Sequence, residues 1–280
     1  MTELPLVVIN IQRGGPSTGL PTKTEQSDLM QAMYGRNGEA PMVILAPQSP
    51  GDCFYMAFEA CRIALEYMMP VILMSDGYLA NGSEPWEIPD INKLAKINSR
   101  KIEKSENFKP YDRDAKTLAR PWAVPGVPGL EHRIGGIETE DGTGNVSYDP
   151  DNHENMVRLR AKKVEVVAND ISDIIPYGDD SGDILVVGWG STFGAIRSAV
   201  DRARDNGLSV SHVQLRYINP FPKNLGDVLL KFEKVIVPEL NMGQLNSILR
   251  SKFLVNSVGL NKIKGKPFTI DEVYSEIVKK

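Results

Sequence analysis

Residues 4–76 alternate short apolar runs with stretches of helical period, and this alternation commits the start of the chain to a parallel α/β arrangement. Leu6–Ile11 is apolar on both faces, the pattern of a strand buried inside a parallel sheet. Met42–Ala46 and Val71–Met74 supply two more strands. Between the first two, Thr24-Glu25-Gln26-Ser27-Asp28 reads as a helix start, with acids at its N-terminal end. Before Cys53–Met68, whose apolar residues recur at helical spacing, Ser49-Pro50-Gly51-Asp52 offers a cap, a proline at the first helical position and a first-turn acid.

Residues 77–150 break this rhythm. They are rich in proline, glycine and charge without a sustained period, and irregular stretches of that length are usually functional or disordered. We expect a linker or lid over 91–150, with Arg120–Leu130 as an extended arm laid on another surface. Asp149-Pro150-Asp151 then opens a helix over Asn152–Ile171. Strands at Asp183–Val187, Val210–Leu215 and Lys234–Val237 alternate with helices to about Arg204 and over Asn224–Phe232, Met242–Leu254 and Ile270–Lys280. This is the pattern of a second, doubly wound domain. The expected division is 1–90, 91–150 and 151–280.

A length of 280 residues accommodates two such domains with ample core. A net charge of −4 gives no reason to expect nucleic acid or an anionic membrane as partner. No apolar run reaches the ~20 residues of a membrane span and no secretory signal is evident, so a soluble, cytoplasmic protein is expected. Cys53 and Cys61 share one expected helix at a spacing that cannot bridge, and read as buried free thiols. An iron–sulfur cluster takes about four thiolates, more than this chain has. His132, His153 and His212 lack metal-ligand spacing, so no metal site is expected. Glu138, Glu140 and Asp141 read as a solvated loop, while Arg158 and Arg160 on a charged helix fit solvation or partner contact equally.

Four stretches could carry chemistry. Gln12-Arg-Gly-Gly-Pro-Ser-Thr-Gly-Leu-Pro-Thr22, between the first strand and the following helical pattern, combines one guanidinium with hydroxyls, glycines and prolines. Glycine lets backbone N–H groups approach a ligand, proline limits wandering, and arginine presents a planar fork to a carboxylate or phosphate. The loop reads as a stiff anion cradle, although its composition also suits a solvated connector. Gly188-Trp-Gly-Ser-Thr192 follows a strand as a phosphate-binding turn does, yet completes neither GxGxxG nor a Walker sequence. It reads as a tight strand-to-helix turn, with a nucleotide-binding module as the rival. Tyr217–Pro222 and Glu239–Leu245 follow strands where α/β folds place ligands and partners, and are interface candidates.

Taken together, Gln12–Asp28, Tyr34-Gly-Arg-Asn-Gly-Glu39, Pro50-Gly-Asp-Cys-Phe54 and Pro70-Val-Ile-Leu-Met-Ser-Asp76 closely resemble the α subunit of 2-oxoacid:ferredoxin oxidoreductases, particularly the 2-oxoglutarate (KorA-like) branch. Gly144–Pro150, Tyr217–Pro222 and Glu239–Leu245 extend the likeness over nearly the whole chain. The resemblance implies part of a pyrimidine-type thiamine-diphosphate-binding domain followed by a transketolase C-terminal-like domain. It also implies oxidative decarboxylation of a 2-oxoacid, with the acyl group passed to coenzyme A and electrons passed through an iron–sulfur cluster to ferredoxin. By the same likeness Arg13 holds the substrate carboxylate, Thr22 contributes a substrate-binding hydroxyl, and Ser17, Thr18 and Gly19 shape the pocket between them. Within the family, branched-chain 2-oxoacids or pyruvate are alternative substrates. A non-catalytic interaction subunit with a vestigial loop is the alternative outside enzymology.

The sequence also departs from the family. A Tyr-Pro-Ile-Thr-Pro segment and an activating glutamate normally precede the loop, and only twelve residues stand before Arg13 here. The γ-type domain that many relatives carry is not expected within these residues either. The expectation is a chain that needs a companion segment and is inactive alone, with no catalytic residue or cofactor ligand assigned to it. Thiamine diphosphate and magnesium would be shared with a β subunit, which would also hold the cluster.

Overall fold

The computed structural model describes residues 1–104 and 106–279. In chain order its elements begin with β1 (Leu6–Gln12), α1 (Leu29–Tyr34), β2 (Val43–Leu45), α2 (Asp52–Tyr67), β3 (Pro70–Asp76) and α3 (Gly77–Asn81). The short β4 (Lys101–Ile102) and β5 (Trp122–Ala123) and the long α4 (Pro150–Val166) follow. The remainder is β6 (Gly182–Trp189), α5 (Phe193–Asp205), β7 (Val210–Leu215), β8 (Tyr217–Asn219), α6 (Leu225–Leu229) and β9 (Phe232–Glu239). It closes with α7 (Gln244–Phe253), β10 (Ser257–Asn261) and α8 (Ile270–Ile277).

Two four-stranded sheets organise the molecule, in the orders β1-β3-β2-β8 and β10-β9-β6-β7. The second is parallel throughout, and in the first only β8 runs antiparallel. Successive residues of a strand face opposite ways, and each central strand feeds two cores accordingly. In β2 and β3, Val43, Leu45, Val71 and Leu73 pack under α2 and α4, while Ile44 and Met74 face the second sheet. In β6 and β9, Leu185, Val187, Val235 and Val237 face the first sheet, while Val186 and Ile236 pack under α5 and α8. The middle core between the sheets is filled from α1, α6 and α7. Burial on both faces is why these strands read as continuous apolar runs.

Several expectations shift. β1 is parallel as expected but lies at a sheet edge, with Leu6, Ile9 and Ile11 about half exposed instead of buried. The first helix begins at Leu29, not near Thr24. The Asp28 N–H is taken by Gln12 Oε1 and that of Met30 by Gln244 Oε1, so side chains from elsewhere cap the helix and leave residues 24–27 free for other contacts. The helix at 150 ends at Val166 and tightens into a 3₁₀ turn over Val167–Asp170. The helix expected over Asn224–Phe232 shrinks to Leu225–Leu229, and Phe232 opens β9. β8, β10 and α3 carry too few residues to show a period. Cys61 is exposed and Cys53 half-buried, so neither is the buried thiol expected.

The irregular segment is anchored through buried charge. The Arg113 guanidinium grips both oxygens of Glu3 at 2.8 Å, Lys163 donates to the same carboxylate and to Met68 O, and Arg120 donates to the carbonyls of Thr2 and Glu3. Burial would lift the Glu3 carboxyl, but Arg113 and Lys163 outweigh it and hold its pKa at about 2. Burial likewise pulls Lys163 down to about 8 against the attraction of Glu3. Glu138, expected in a solvated loop, is instead clasped by Arg160 through two bonds of 3.0 Å and touched by His153. Arg158 is exposed and pairs with Glu154.

A carboxylate whose folded pKa lies below its ordinary 4.5 contributes stability above that value and loses it as pH falls towards about 2. Urea unfolding of the parent should therefore weaken across this window. Glu3→Gln should flatten that dependence and cost about 3–5 kcal/mol at neutral pH, because it strands Lys163 in the interior. A pH profile unchanged by the substitution contradicts this account.

Candidate functional site

The loop after β1 is built as a rigid projection. Its neck is closed by Gly14 N–H donating to Lys23 O at 2.9 Å, Leu20 N–H to Gly14 O at 2.8 Å and Lys23 N–H to Leu20 O at 3.2 Å. Gly19 sits at φ +51°, and a Cβ there would lie 2.0 Å from Gly14 O, so only glycine closes the neck. Ser17 and Thr22 also take left-handed φ values, +56° and +64°. Arg13, Ser17, Thr18, Gly19 and Thr22 are all exposed, with Arg13 and Thr22 flanking the Gly14–Lys23 hydrogen bond. No ion pair among the described residues engages Arg13. Its guanidinium fork is open to a ligand. Beneath the loop Glu25 is buried, and burial raises its carboxyl pKa despite the Gly15 N–H that faces it.

The loop's two roots are buried. Gln12 donates to Ser75 O at 3.2 Å and accepts from Asp28 N–H at 3.1 Å. At the other root Thr24 Oγ1 donates to Asp76 Oδ1 at 3.0 Å. Asp76 caps α3 by accepting from the N–H groups of Tyr78 and Leu79, and its other oxygen accepts from Ser191 N–H at 3.1 Å. Gln26 joins the sheets completely. Its Nε2 donates to Trp189 O, its Oε1 accepts from Leu240 N–H, its own N–H donates to Leu240 O and its carbonyl accepts from Asn241 Nδ2.

These contacts settle how the Gly188–Thr192 turn is used. It presents an N–H to an anion, as such turns do, but the anion is Asp76 of the same chain. Gly190, at φ +57°, permits the approach, since a Cβ there would lie 2.6 Å from Gln26 Nε2. This observation disfavours the nucleotide-binding alternative. Glu239, at the end of β9, accepts from Trp189 Nε1, Asn241 Nδ2 and the N–H groups of Leu245 and Asn246 at the start of α7. Burial raises its pKa, and the four donors pull it back. Of the other interface candidate, Tyr217–Asn219 forms β8, while Tyr217 Oη also donates to Glu59. Both stretches thus face the rest of this chain. His212 is buried beside Arg197, and burial pushes its pKa down to about 3.

Thr24, Gln26 and Asp76 escaped sequence reasoning. Their only signal was polarity immediately after a loop and at a strand end, which also suits ordinary caps. A groove of about 340 Å³ runs beside the loop, between Thr22, Lys23, Tyr78, Asn81 and Lys266. Gly265 braces it, since a Cβ there would lie 2.9 Å from that of Lys23. A separate cavity of about 680 Å³, lined by Tyr34, Arg36, Arg158 and Lys252 among others, contains no residue of the loop. Among the described residues no group of three or more His, Cys, Asp or Glu side chains could hold a metal ion, and no helix is long and apolar enough to cross a membrane.

Comparison with known proteins adds to this picture. Residues 1–149 match the family described as pyruvate flavodoxin/ferredoxin oxidoreductase, thiamine diphosphate-binding, and residues 182–273 match pyruvate:ferredoxin oxidoreductase core domain II. The 2-oxoglutarate oxidoreductase subunit KorA of Mycobacterium tuberculosis is 57% identical over 98% of this chain and 42% of its own length. The 2-oxoglutarate synthase subunit KorA of Methanothermobacter marburgensis is 31% identical over 99% of this chain and 74% of its own. The solved 2-oxoglutarate:ferredoxin oxidoreductase of Magnetococcus marinus, holding 2-oxoglutarate, coenzyme A and succinyl-CoA, superposes with a TM-score of 0.92. That match is 34% identical and covers 99% of this chain and 49% of the other. The chain thus spans about half the length of several relatives it matches.

Glu239→Gln replaces one acceptor oxygen by an amide that must face a donor. It should cost about 1–3 kcal/mol in urea unfolding. A loss below about 0.5 kcal/mol would show that these four bonds do not hold the end of β9 to α7.

Proposed function

This chain belongs to the 2-oxoacid:ferredoxin oxidoreductases, and we propose that it serves as the α-type subunit, or a portion of one, in a complex that oxidatively decarboxylates 2-oxoglutarate. The products would be succinyl-CoA, carbon dioxide and electrons delivered to ferredoxin, in the cytoplasm. The observation that carries the reading is Arg13, exposed and, among the described residues, without an ion-pair partner at the neck of a rigid loop. The KorA relatives, which are 2-oxoglutarate oxidoreductase and synthase subunits, favour 2-oxoglutarate over pyruvate or branched-chain acids.

In this reading Arg13 takes the 2-oxoacid carboxylate through two parallel N–H···O bonds, stronger and more directional than a single contact. The Thr22 hydroxyl supplies a further hydrogen bond from the opposite side of the neck. Ser17, Thr18 and Gly19 form the wall between them. Fixing the carboxylate at two points orients the adjacent ketone and removes much of the entropic cost of reaction. Bound thiamine diphosphate would supply the carbanion that attacks that ketone, while the protein orients and polarises.

The exposed loop suits the substrate-facing side of such a site. Thiamine diphosphate and magnesium are shared with a partner β subunit, which also holds the iron–sulfur cluster. Coenzyme A is the co-substrate. A further polypeptide, from a preceding pyrimidine-domain segment or another subunit, would cover β1, whose apolar side chains and unpaired backbone edge are exposed. A γ-type domain or subunit completes the assembly, and the isolated chain is inactive. Residues 91–150 act as the linker between the two sheet-bearing regions.

In the assembled complex, Arg13→Ala should lower kcat/KM for 2-oxoglutarate by a factor equivalent to about 2–5 kcal/mol. Arg13→Lys should recover only part, because an ammonium cannot make the paired contact. Unchanged turnover of Arg13→Ala refutes the substrate role. A panel of 2-oxoacids tests the substrate, and preference for pyruvate or 2-oxoisovalerate overturns the 2-oxoglutarate assignment.

A further inference from the structure

The loop's residues from Gly15 to Thr22 are exposed, and its neck bonds run between Gly14, Leu20 and Lys23 of the loop itself, so its direction is set at its roots. The C-terminal root is unusual in what holds it. Asp76 is 1% exposed and has no cationic partner among the described residues. An uncompensated buried carboxylate persists only with several donors. Three of its four come from the first sheet's own region, namely Thr24 Oγ1 and the N–H groups of Tyr78 and Leu79. The fourth is Ser191 N–H, from the turn between β6 and α5. Two residues further along, Gln26 is held by Trp189, Leu240 and Asn241 at the ends of β6 and β9. The root is therefore tied at once to the first sheet and to the strand ends of the second.

We propose that Thr24 and Asp76 are positioning residues, which transmit the placement of the second sheet to the Arg13–Thr22 loop and so set its register for the substrate carboxylate. The role of the loop in binding a 2-oxoacid rests on the function proposed above. The transmission itself is a property of the fold. Thr24 is the link between the two, because it is two residues from Thr22 and its hydroxyl is the side-chain group that reaches Asp76 from the loop. Gly190 keeps the turn close enough for Ser191 to complete the carboxylate's shell.

The test uses the assembled complex with Thr24→Val, Thr24→Ser and Gly190→Ala. Three quantities are read: KM and kcat for 2-oxoglutarate, amide hydrogen exchange across residues 13–23, and Tm. Thr24→Val is isosteric and removes only the hydroxyl. It should raise KM at least about five-fold with kcat within about two-fold, and accelerate exchange at Gly14, Leu20 and Lys23 about ten-fold. Its Tm should stay within about 3 °C of the parent, since Gln26 still joins the sheets. Thr24→Ser should restore parental values, and Gly190→Ala should resemble Thr24→Val in KM and exchange. Parental KM and exchange in Thr24→Val overturn the proposal, as does a lowered Tm with KM and exchange unmoved. If the parent complex turns over no 2-oxoacid, the functional reading fails, and the exchange data alone decide the positioning role.

Discussion

The two sheets of this protein are joined by polar groups buried away from bulk solvent and, among the described residues, without a counter-charge. Asp76 and Gln26 sit fully buried between the strand ends, Asp76 hydrogen-bonded from both sides and Gln26, on the segment that leaves the loop, bonded to the strand ends of the second sheet. Such groups are costly when a partner is lost and cheap when every partner is present. Apolar packing alone would tolerate a small slide of one sheet over the other. The hydrogen-bonded contacts do not, because each donor has one acceptor at the right distance. The middle core supplies most of the affinity between the sheets, and the Asp76–Gln26 contacts supply the register. The exposed loop with Arg13 inherits that register through its root.

How much of this was legible beforehand follows from which interactions leave a periodic trace. The strands and long helices did, because burial on two faces or along one stripe repeats in the sequence. The loop's importance was legible from its residue types and from a family likeness. The edge position of β1 was not, since an apolar strand reads the same whether its neighbour lies in this chain or elsewhere. Residues 24–27 read as a helix start because Thr, Glu, Gln and Ser favour helix starts as readily as they bind distant backbone. Glu138 and Arg160, 22 residues apart, read as solvated charges until the chain brings them together. Long-range polar contacts leave no local signature.

The same distinction explains the irregular segment. Its order comes from Arg113 and Arg120 reaching the backbone and carboxylate near Glu3, with Tyr111 stacked beneath both guanidinium groups at about 5.4 and 5.5 Å. A segment tied by a few buried charges can carry many prolines and glycines and still hold a fixed path. Its stability then depends on pH and ionic partners more than on apolar area. This contrasts with the sheets, whose cohesion depends mainly on burial.

β8 has a consequence for how such proteins can be rearranged. Three residues, Tyr217–Asn219, leave the second sheet's neighbourhood to pair with β2, Arg216 just before them bonds Asp52 on α2, and Asn219 donates to Met42 O. The chain thus returns part of its later half to complete its earlier one. A modular exchange that cut between the halves would separate a strand from its sheet, so the recombining unit is the pair. Genes that shuffle these regions independently would have to carry the strand across the junction or rebuild the edge it protects.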